Sequence, residues 1–508
     1  MYSALINNSL SVKRFQFIGI TLVALGISQA AQVNANEAKQ DKIKVQEKLQ
    51  EKDWEAEGNA WIRKKKPLAP ASQPQKAKNI ILFVGDGMGI STVTASRIRK
   101  GQLAGQPGEE ALLNFESFPY SGLVKTYNTD AQVPDSAGTM TAMMSGHKTR
   151  KGLIGLDSST KRGDCEHSKK SKLVSFADIA KAHGKKAGIV TTTRLTHATP
   201  AAVYAHSADR DWENDAELSK AARKAGCQDI AGQLIDALKQ KKIDVALGGG
   251  RRNFLPKAED GRRLTPLVKN SDTEQYKLLS TIEELQNAKT NRPVLGLFAK
   301  SHMPYADENA KLPTLAELTK NAIRLLENKR GFFLMVEAGR IDHAHHLANA
   351  YHALGDTLAL DDAVGTAMSL TKESETLIIV TADHSHVMTI AGYPPRGNPI
   401  LGIAGIDQAG TPYTTLGYAN GRGHAHLPKL NNIDARYKLP VSAGRKNIDP
   451  HSTQDPNYFQ ETLVGLEAET HGGEDVGVWA SGPSAYLLTG TMEQTIIFYA
   501  MKQALEAK

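Results

Sequence analysis

Only two cysteines, Cys165 and Cys227, occur in a chain of 508 residues. One bridge is therefore the most it can form. An oxidising compartment outside the cell favours that bridge, and two buried unpaired thiols are the alternative, because bridging needs Cα atoms within about 7 Å. A concentrated basic arm is also missing. Lysine and arginine exceed the acids by eight but are scattered, and the one short run, Arg63 to Lys66, sits beside Pro67 and Pro70 as a solvated linker. No nucleic-acid-binding role is expected. Long apolar runs are absent as well: "FQFIGITLVALGI" (15–27) is too short to serve comfortably as a permanent span, and the C-terminal "FYAMKQALEAK" carries no hydrophobic tail. No stable membrane anchor is expected. There is neither an internal repeat nor a low-complexity tract.

What is present begins with a processing signal. Lys13 and Arg14 precede the apolar stretch, and Ser28, Ala30, Val33 and Ala35 follow it, so residues 1–35 read as a signal peptide cut near Ala30 or Ala35. The expected location is exported, periplasmic or secreted. Removal takes two basic residues and no acid, leaving a net charge of +6 in place of +8. Residues 36–78 read as an N-terminal helical arm and linker, and 79–508 as the main body, whose 40% hydrophobic content can bury a large core.

That body alternates in period. Apolar strand-like runs occur at 79–85, 186–193, 244–250, 331–339 and 376–384, with amphipathic stretches at 173–184, 227–240 and 314–328. The class is α/β, a mostly parallel sheet with helices on both faces. Residues 386–470 are rich in Gly, Pro, Asn and Tyr and read as an insertion before the chain returns at "DVGVWASG" (475–482).

Polar residues gather at the ends of the apolar runs or just beyond them: Asp86 in "VGDGMG", Thr199 in "THATP", Glu337 and Asp342 in "VEAGRIDHAHH", and Asp383 with His384 in "TADHSH". In open α/β sheets the ligand crevice lies outside those ends. Asp342 and His346 share a helix face at i, i+4, and His471 lies in "ETHGGEDV". Taken singly, each has a plain structural reading as a turn, a wet helix face or a surface charge. Placed alike, they point to a multinuclear metal site. Asp342, His346 and His471 make one nitrogen-rich set, Asp86, Asp383 and His384 a second, and the oxygens of Asp86, Thr199 and Glu337 suit a harder ion.

In "VPDSAGTMTAMMSG" (133–146), Ser136 sits where an N-cap belongs, and Met140, Met143 and Met144 give the helix one buried face. A helix start favours a bound anion, and a metal beside it lowers a serine pKa, so Ser136 can serve as a nucleophile without a dedicated His base. Arg210 in "AHSADR" is a candidate clamp for two phosphate oxygens.

Taken in order, "LFVGDGMG", "VPDSAGTMTAMMSG", "VTTTRLTHATPAAVYAH", "MVEAGRIDHAHH", "VTADHSH" and "ETHGGEDV" resemble the alkaline phosphatases, from about residue 50 to the C-terminus. The resemblance implies broad hydrolysis of phosphate monoesters through a phosphoserine at Ser136, with Asp135 positioning Arg210. It also implies two Zn²⁺ per subunit, on Asp342, His346 and His471 and on Asp86, Asp383 and His384, and one Mg²⁺ on Asp86, Thr199 and Glu337. His197 and His343 stand where one bacterial branch has Asp and Lys, so the chain resembles the animal-type branch, and the identity of the third ion is open. Animal-type members carry a further Ca²⁺ site with a Glu after "GLF". Ala299 stands there, so that site is expected to be absent. The spacing of Cys165 and Cys227 resembles an animal-type disulfide, and 386–470 corresponds to the family's crown, which implies a homodimer.

Three rivals stand beside this reading. A sulfatase needs a C/S-x-P-x-R context, whereas "AGTMT" follows Ser136. A phosphodiesterase would use the same metals, although Arg210 favours a dianionic monoester. A non-catalytic phosphate-binding protein could use Arg210 and a helix N-terminus, but has no need of three metal sets.

Overall fold

The five central apolar runs form strands because their largely apolar sequences, rich in Ile, Val and Phe, can be buried on both sides, as parallel strands flanked by helices require. In the computed structural model, which describes residues 53–65, 76–268, 274–308, 311–441, 444–445 and 448–507, they belong to one ten-stranded sheet. Numbered in chain order, its strands are β1 (Asn79–Gly85), β2 (Tyr120–Lys125), β3 (Lys186–Arg194), β4 (Val245–Gly249), β5 (Lys277–Leu279), β6 (Val294–Leu297), β7 (Phe332–Ala338), β8 (Thr376–Ala382), β9 (Val476–Ser481) and β10 (Gly490–Glu493). The spatial order is β10-β2-β9-β8-β1-β7-β3-β4-β6-β5. Only β9 runs antiparallel to its neighbours. The expected signal peptide at 1–35, the expected arm as far as residue 52 and the expected linker at 66–75 lie outside the described residues. The helix Trp54–Lys64 docks on the main body, where Trp61 Nε1 donates to the Leu487 carbonyl at 2.9 Å.

Helix boundaries follow their caps. Thr314 and Glu317 form a capping box at the start of Leu315–Leu326, Asp229 caps Ile230–Lys239, and Ser175 caps Phe176–Ala182. Each lies inside its predicted stretch. The 21-residue helix Ala350–Leu370, not singled out in the sequence, packs against Leu315–Leu326 and the sheet.

Two expectations at the 133–146 segment need correction. The helix Ser136–Ser145 has no exposed face: every residue is buried, because it is enclosed by Phe176–Ala182, the C-terminal helix Ile496–Glu506 and the turn at Ala198–Ala201. Its N-cap is Asp135, whose carboxylate accepts from the Gly138 N–H at 3.1 Å, so Ser136 is the first helical residue and its hydroxyl is released from capping.

Between β8 and β9 the chain forms small sheets, the largest pairing 388–390, 416–421 and 462–465. The base of this insertion is a two-residue antiparallel pairing of His471 with His386 and Gly472 with Ser385. Cys165 and Cys227 are bridged, 62 residues apart, with Cα atoms at 5.9 Å.

Candidate metal and phosphoryl-transfer site

Register brings the polar residues to one level. Gly85 at the end of β1 stands opposite Ala338 of β7 and Ala382 of β8, and Thr191 of β3 opposite Glu337 of β7. Asp86 and Asp383 therefore leave the sheet side by side, with Glu337 one position below the rim. Gly87, at φ +70°, turns the chain sharply and donates its N–H to Asp383 Oδ1 at 3.0 Å. A Cβ there would lie 2.4 Å from the His386 ring, so only glycine fits.

Three groups of possible ligands result, with the ligand atoms of each within 4.8 Å of one another: Asp342, His346, His386 and His471; Asp86, Asp383 and His384; and Asp86, His197 and Glu337. In the first, Asp342 Oδ1 lies 3.3 Å from His346 Nε2, 3.3 Å from His471 Nε2 and 2.7 Å from His386 Nε2. In the second, His384 Nε2 lies 3.4 Å from Asp86 Oδ1 and 3.3 Å from Asp383 Oδ2. The His384 and His471 rings stack at 3.6 Å and join the two groups.

The unsatisfied atoms are informative. Asp86 Oδ2, Asp383 Oδ2, Glu337 Oε1 and Thr199 Oγ1 are buried without a hydrogen-bond partner, each on a residue fully shielded from solvent. A buried carboxylate oxygen without a donor is expensive, and three such oxygens beside a buried hydroxyl are the donor set that a cation site presents. Charge agrees. Burial, with the charges of Asp383, Asp342 and Glu337 added, holds the Asp86 carboxyl well above the usual carboxylate range. Burial likewise pushes Glu337 up to about 7, against the hydrogen bond from Thr191, and raises Asp383. Asp342 is held well below its usual range, burial notwithstanding, by His346, His386 and His471. Burial keeps His384, His197 and His343 neutral, the form in which an imidazole can ligate a metal.

Ser136 faces this cluster. Its Oγ lies 3.1 Å from His384 Nε2 and 3.4 Å from Asp86 Oδ1, above the first turn of its helix. Asp135 ties Arg210 to the same spot: Oδ2 accepts from Arg210 Nη1 at 3.1 Å and from the Gly152 N–H at 3.0 Å, while Oδ1 accepts from Asn128 and Gly138. The second terminal nitrogen of Arg210 lies 3.4 Å from His197 Nε2. That guanidinium, nearly buried and held by one edge, leaves its other donors for an anion.

Every residue singled out in the sequence lies in or beside this cluster, apart from the disulfide pair. His197 comes as close to Asp86 and Glu337 as a ligand would, whereas His343 turns to His302, with ring centroids at 4.1 Å, and to Arg340. His386, Glu469, Thr191, Thr193 and His302 were not foreseen. His386 had a signal, as the second imidazole of "HSH" at i+2 from His384. Glu469 had a signal too, as the first residue of "ETHGGEDV" two positions before His471, whereas His302 lies in a segment whose local pattern is silent.

Comparison with known proteins agrees with this geometry. The family model described as alkaline phosphatase matches residues 77–507. The tissue-nonspecific isozyme of alkaline phosphatase from Gallus gallus is 46% identical over 453 residues, covering 84% of this chain and 84% of that one. The Homo sapiens isozyme is 44% identical over 453 residues, with 84% and 83% covered. In three dimensions, the alkaline phosphatase of Thermus thermophilus shares the fold at a TM-score of 0.61 and 24% identity, over 86% of this chain and 93% of that one.

Proposed function

This chain belongs to the alkaline phosphatase family, in its animal-type branch, and from that membership we propose that Ser136 is the nucleophile through which it hydrolyses phosphate monoesters. The observation that carries the reading is the position of Ser136 Oγ, uncommitted to capping and pointed at a buried cluster of carboxylates whose unpaired oxygens call for cations. Ser136 Oγ attacks phosphorus, the ester P–O bond breaks, and the serine proton ends on the departing alcohol. Water then attacks the phosphoserine, releasing inorganic phosphate and restoring the hydroxyl. Arg210, braced by Asp135, grips nonbridging oxygens throughout, and the N–H groups of the first helical turn favour the phosphoryl charge.

The enzyme is metal-dependent. The finer assignment is two zinc ions, on Asp342, His346 and His471 and on Asp86, Asp383 and His384, and one magnesium on Asp86, Thr199 and Glu337. When bound, these ions supply the positive charge that lowers the Ser136 pKa and stabilises the leaving oxygen. His197 offers nitrogen beside the third set, so zinc is the natural competitor of magnesium there. The Ser136–His384 contact also resembles a serine–imidazole base pair. Against that, His384 Nε2 faces two carboxylates at 3.3 and 3.4 Å as well, a convergence that suits a shared cation better than one N–H donor.

Export through residues 1–35 and homodimer formation through 386–470 complete the proposal. Tyr393, Ile406 and Leu463, all strongly exposed, support the second point. The test is hydrolysis of p-nitrophenyl phosphate and bis-p-nitrophenyl phosphate at alkaline pH by wild type and Ser136→Ala, before and after chelation and metal return. Monoesterase activity lost with the serine or the metals, and restored by metal, is expected. Preference for the diester would install the phosphodiesterase reading, and metal-independent phosphate binding without turnover the binding-protein reading.

A further inference from the structure

Glu469 stands outside every ligand set above, yet its side chain is fully buried and touches the first group from several sides. One carboxylate oxygen bonds His386 Nδ1, and the other accepts from the Val387 N–H at 2.8 Å. The opposite nitrogen of the same imidazole, His386 Nε2, faces Asp342 Oδ1 at 2.7 Å. The Glu469 carbonyl accepts from His346 Nδ1 at 2.6 Å, which leaves His346 Nε2 as the free ligand nitrogen, and the Glu469 N–H donates to the His346 carbonyl at 2.9 Å. His471 follows two residues later, its Nδ1 fixed by the Pro134 carbonyl at 2.8 Å.

We propose that Glu469 is a positioning residue that sets the geometry of the Asp342–His346–His471 metal group through His386, and so clamps the base of the 386–470 insertion to the metal centre. The inference rests on the assignment of those three residues as ligands. Partners in the layer behind ligands orient them and raise affinity by about 10- to 100-fold. With both ring nitrogens engaged by carboxylates, His386 orients Asp342 rather than serving as a fourth ligand. The clamp also spans the two strands of the neck, since His386 and His471 are register partners.

The test is zinc retention by the full-length protein under chelator competition, with kcat measured at rising free Zn²⁺. Glu469→Ala is expected to lose one ion at about 10- to 100-fold higher free Zn²⁺ than wild type and to recover kcat when zinc saturates. Glu469→Gln keeps an acceptor for the Val387 N–H and reverses the bond to His386, its amide N–H₂ donating to Nδ1 so that Nε2–H still points at Asp342, and should retain most of the affinity. His386→Ala with and without Glu469→Ala should behave alike, because the two act in series. If Glu469→Ala does not fold, Glu469→Asp, shorter by one methylene, is expected to show the same affinity loss. Zinc affinity equal to wild type in the Ala or Asp variant, or additive losses in the double variant, overturns the proposal. Asp342→Asn separates the premise: if it keeps the full complement of ions, the ligand assignment fails rather than the role of Glu469.

Discussion

Removing the metal ions from this protein and returning them should move protons, and the carboxylate environments set how many. Glu337, wholly buried and pushed up to about 7, is about half protonated at pH 7 when no cation faces it. A cation binds only the ionised form, so its return expels about half a proton from Glu337 alone. Asp86, held above its usual range by burial and three neighbouring carboxylates, adds release in the same direction, and so does His346, raised by Asp342 against the pull of burial. Asp342 is already ionised and His384 already neutral, so neither offsets the release. Proton competition at Glu337 alone weakens cation binding by roughly 100-fold between pH 8 and pH 5, about 2.7 kcal/mol. The assay is calorimetric titration of stripped protein with Zn²⁺ and Mg²⁺ in buffers of different ionisation enthalpy, across that range. Net proton release at pH 7 and affinity that rises with pH are expected, with a flatter profile for Glu337→Gln. Cation binding without proton release, or with a flat pH profile, would refute the reasoning.

Three further outcomes follow from the same geometry. Thr199→Val should weaken magnesium activation, read as a higher Mg²⁺ concentration for half-maximal activity, because it deletes the hydroxyl oxygen that faces Glu337 while keeping the side chain's volume. Asp135→Asn places an amide N–H₂ against the Gly152 N–H and Arg210, or turns it toward Gly138. Either way, KM for monoesters and the inhibition constant for phosphate should rise by about 10- to 100-fold, the worth of one hydrogen bond to a charged group, while zinc content stays constant. Replacing Cys165 and Cys227 with serine opens a loop of 62 residues and should cost up to about 4 kcal/mol, read as a lower denaturation midpoint, with the metal ligands intact.

The central sheet was legible because its strands are buried on both faces: "NIILFVG" and "TLIIVTA" admit little besides a strand, and both ends were placed within two residues. The strands toward the edges were not. β5, at one edge, has three residues, and β2, one strand in from the other edge, buries only one residue in six, so neither offers a long apolar run. The helix Ala350–Leu370 hid because small apolar residues surround it on most sides and blur the amphipathic stripe. At the site, Asp86, Glu337, Asp383 and His384 were visible because strand ends announce themselves. Asp135 displaced Ser136 as the cap for a reason that the sequence contains but does not rank: both residues can cap, and Asp135 also has Arg210, Asn128 and Gly152 to satisfy. Glu469 was in view, as the first residue of "ETHGGEDV", but its role was not. Its partners lie 82 and 83 residues away, and only folding of the insertion brings them together.

The most direct test of the account is to incubate the metal-loaded enzyme with a phosphate monoester, quench in acid, and locate covalent phosphate by peptide mass analysis. Phosphate on the peptide carrying Ser136, and none anywhere in Ser136→Ala, is the predicted result. Covalent phosphate on another residue, or undiminished turnover in Ser136→Ala, would contradict it.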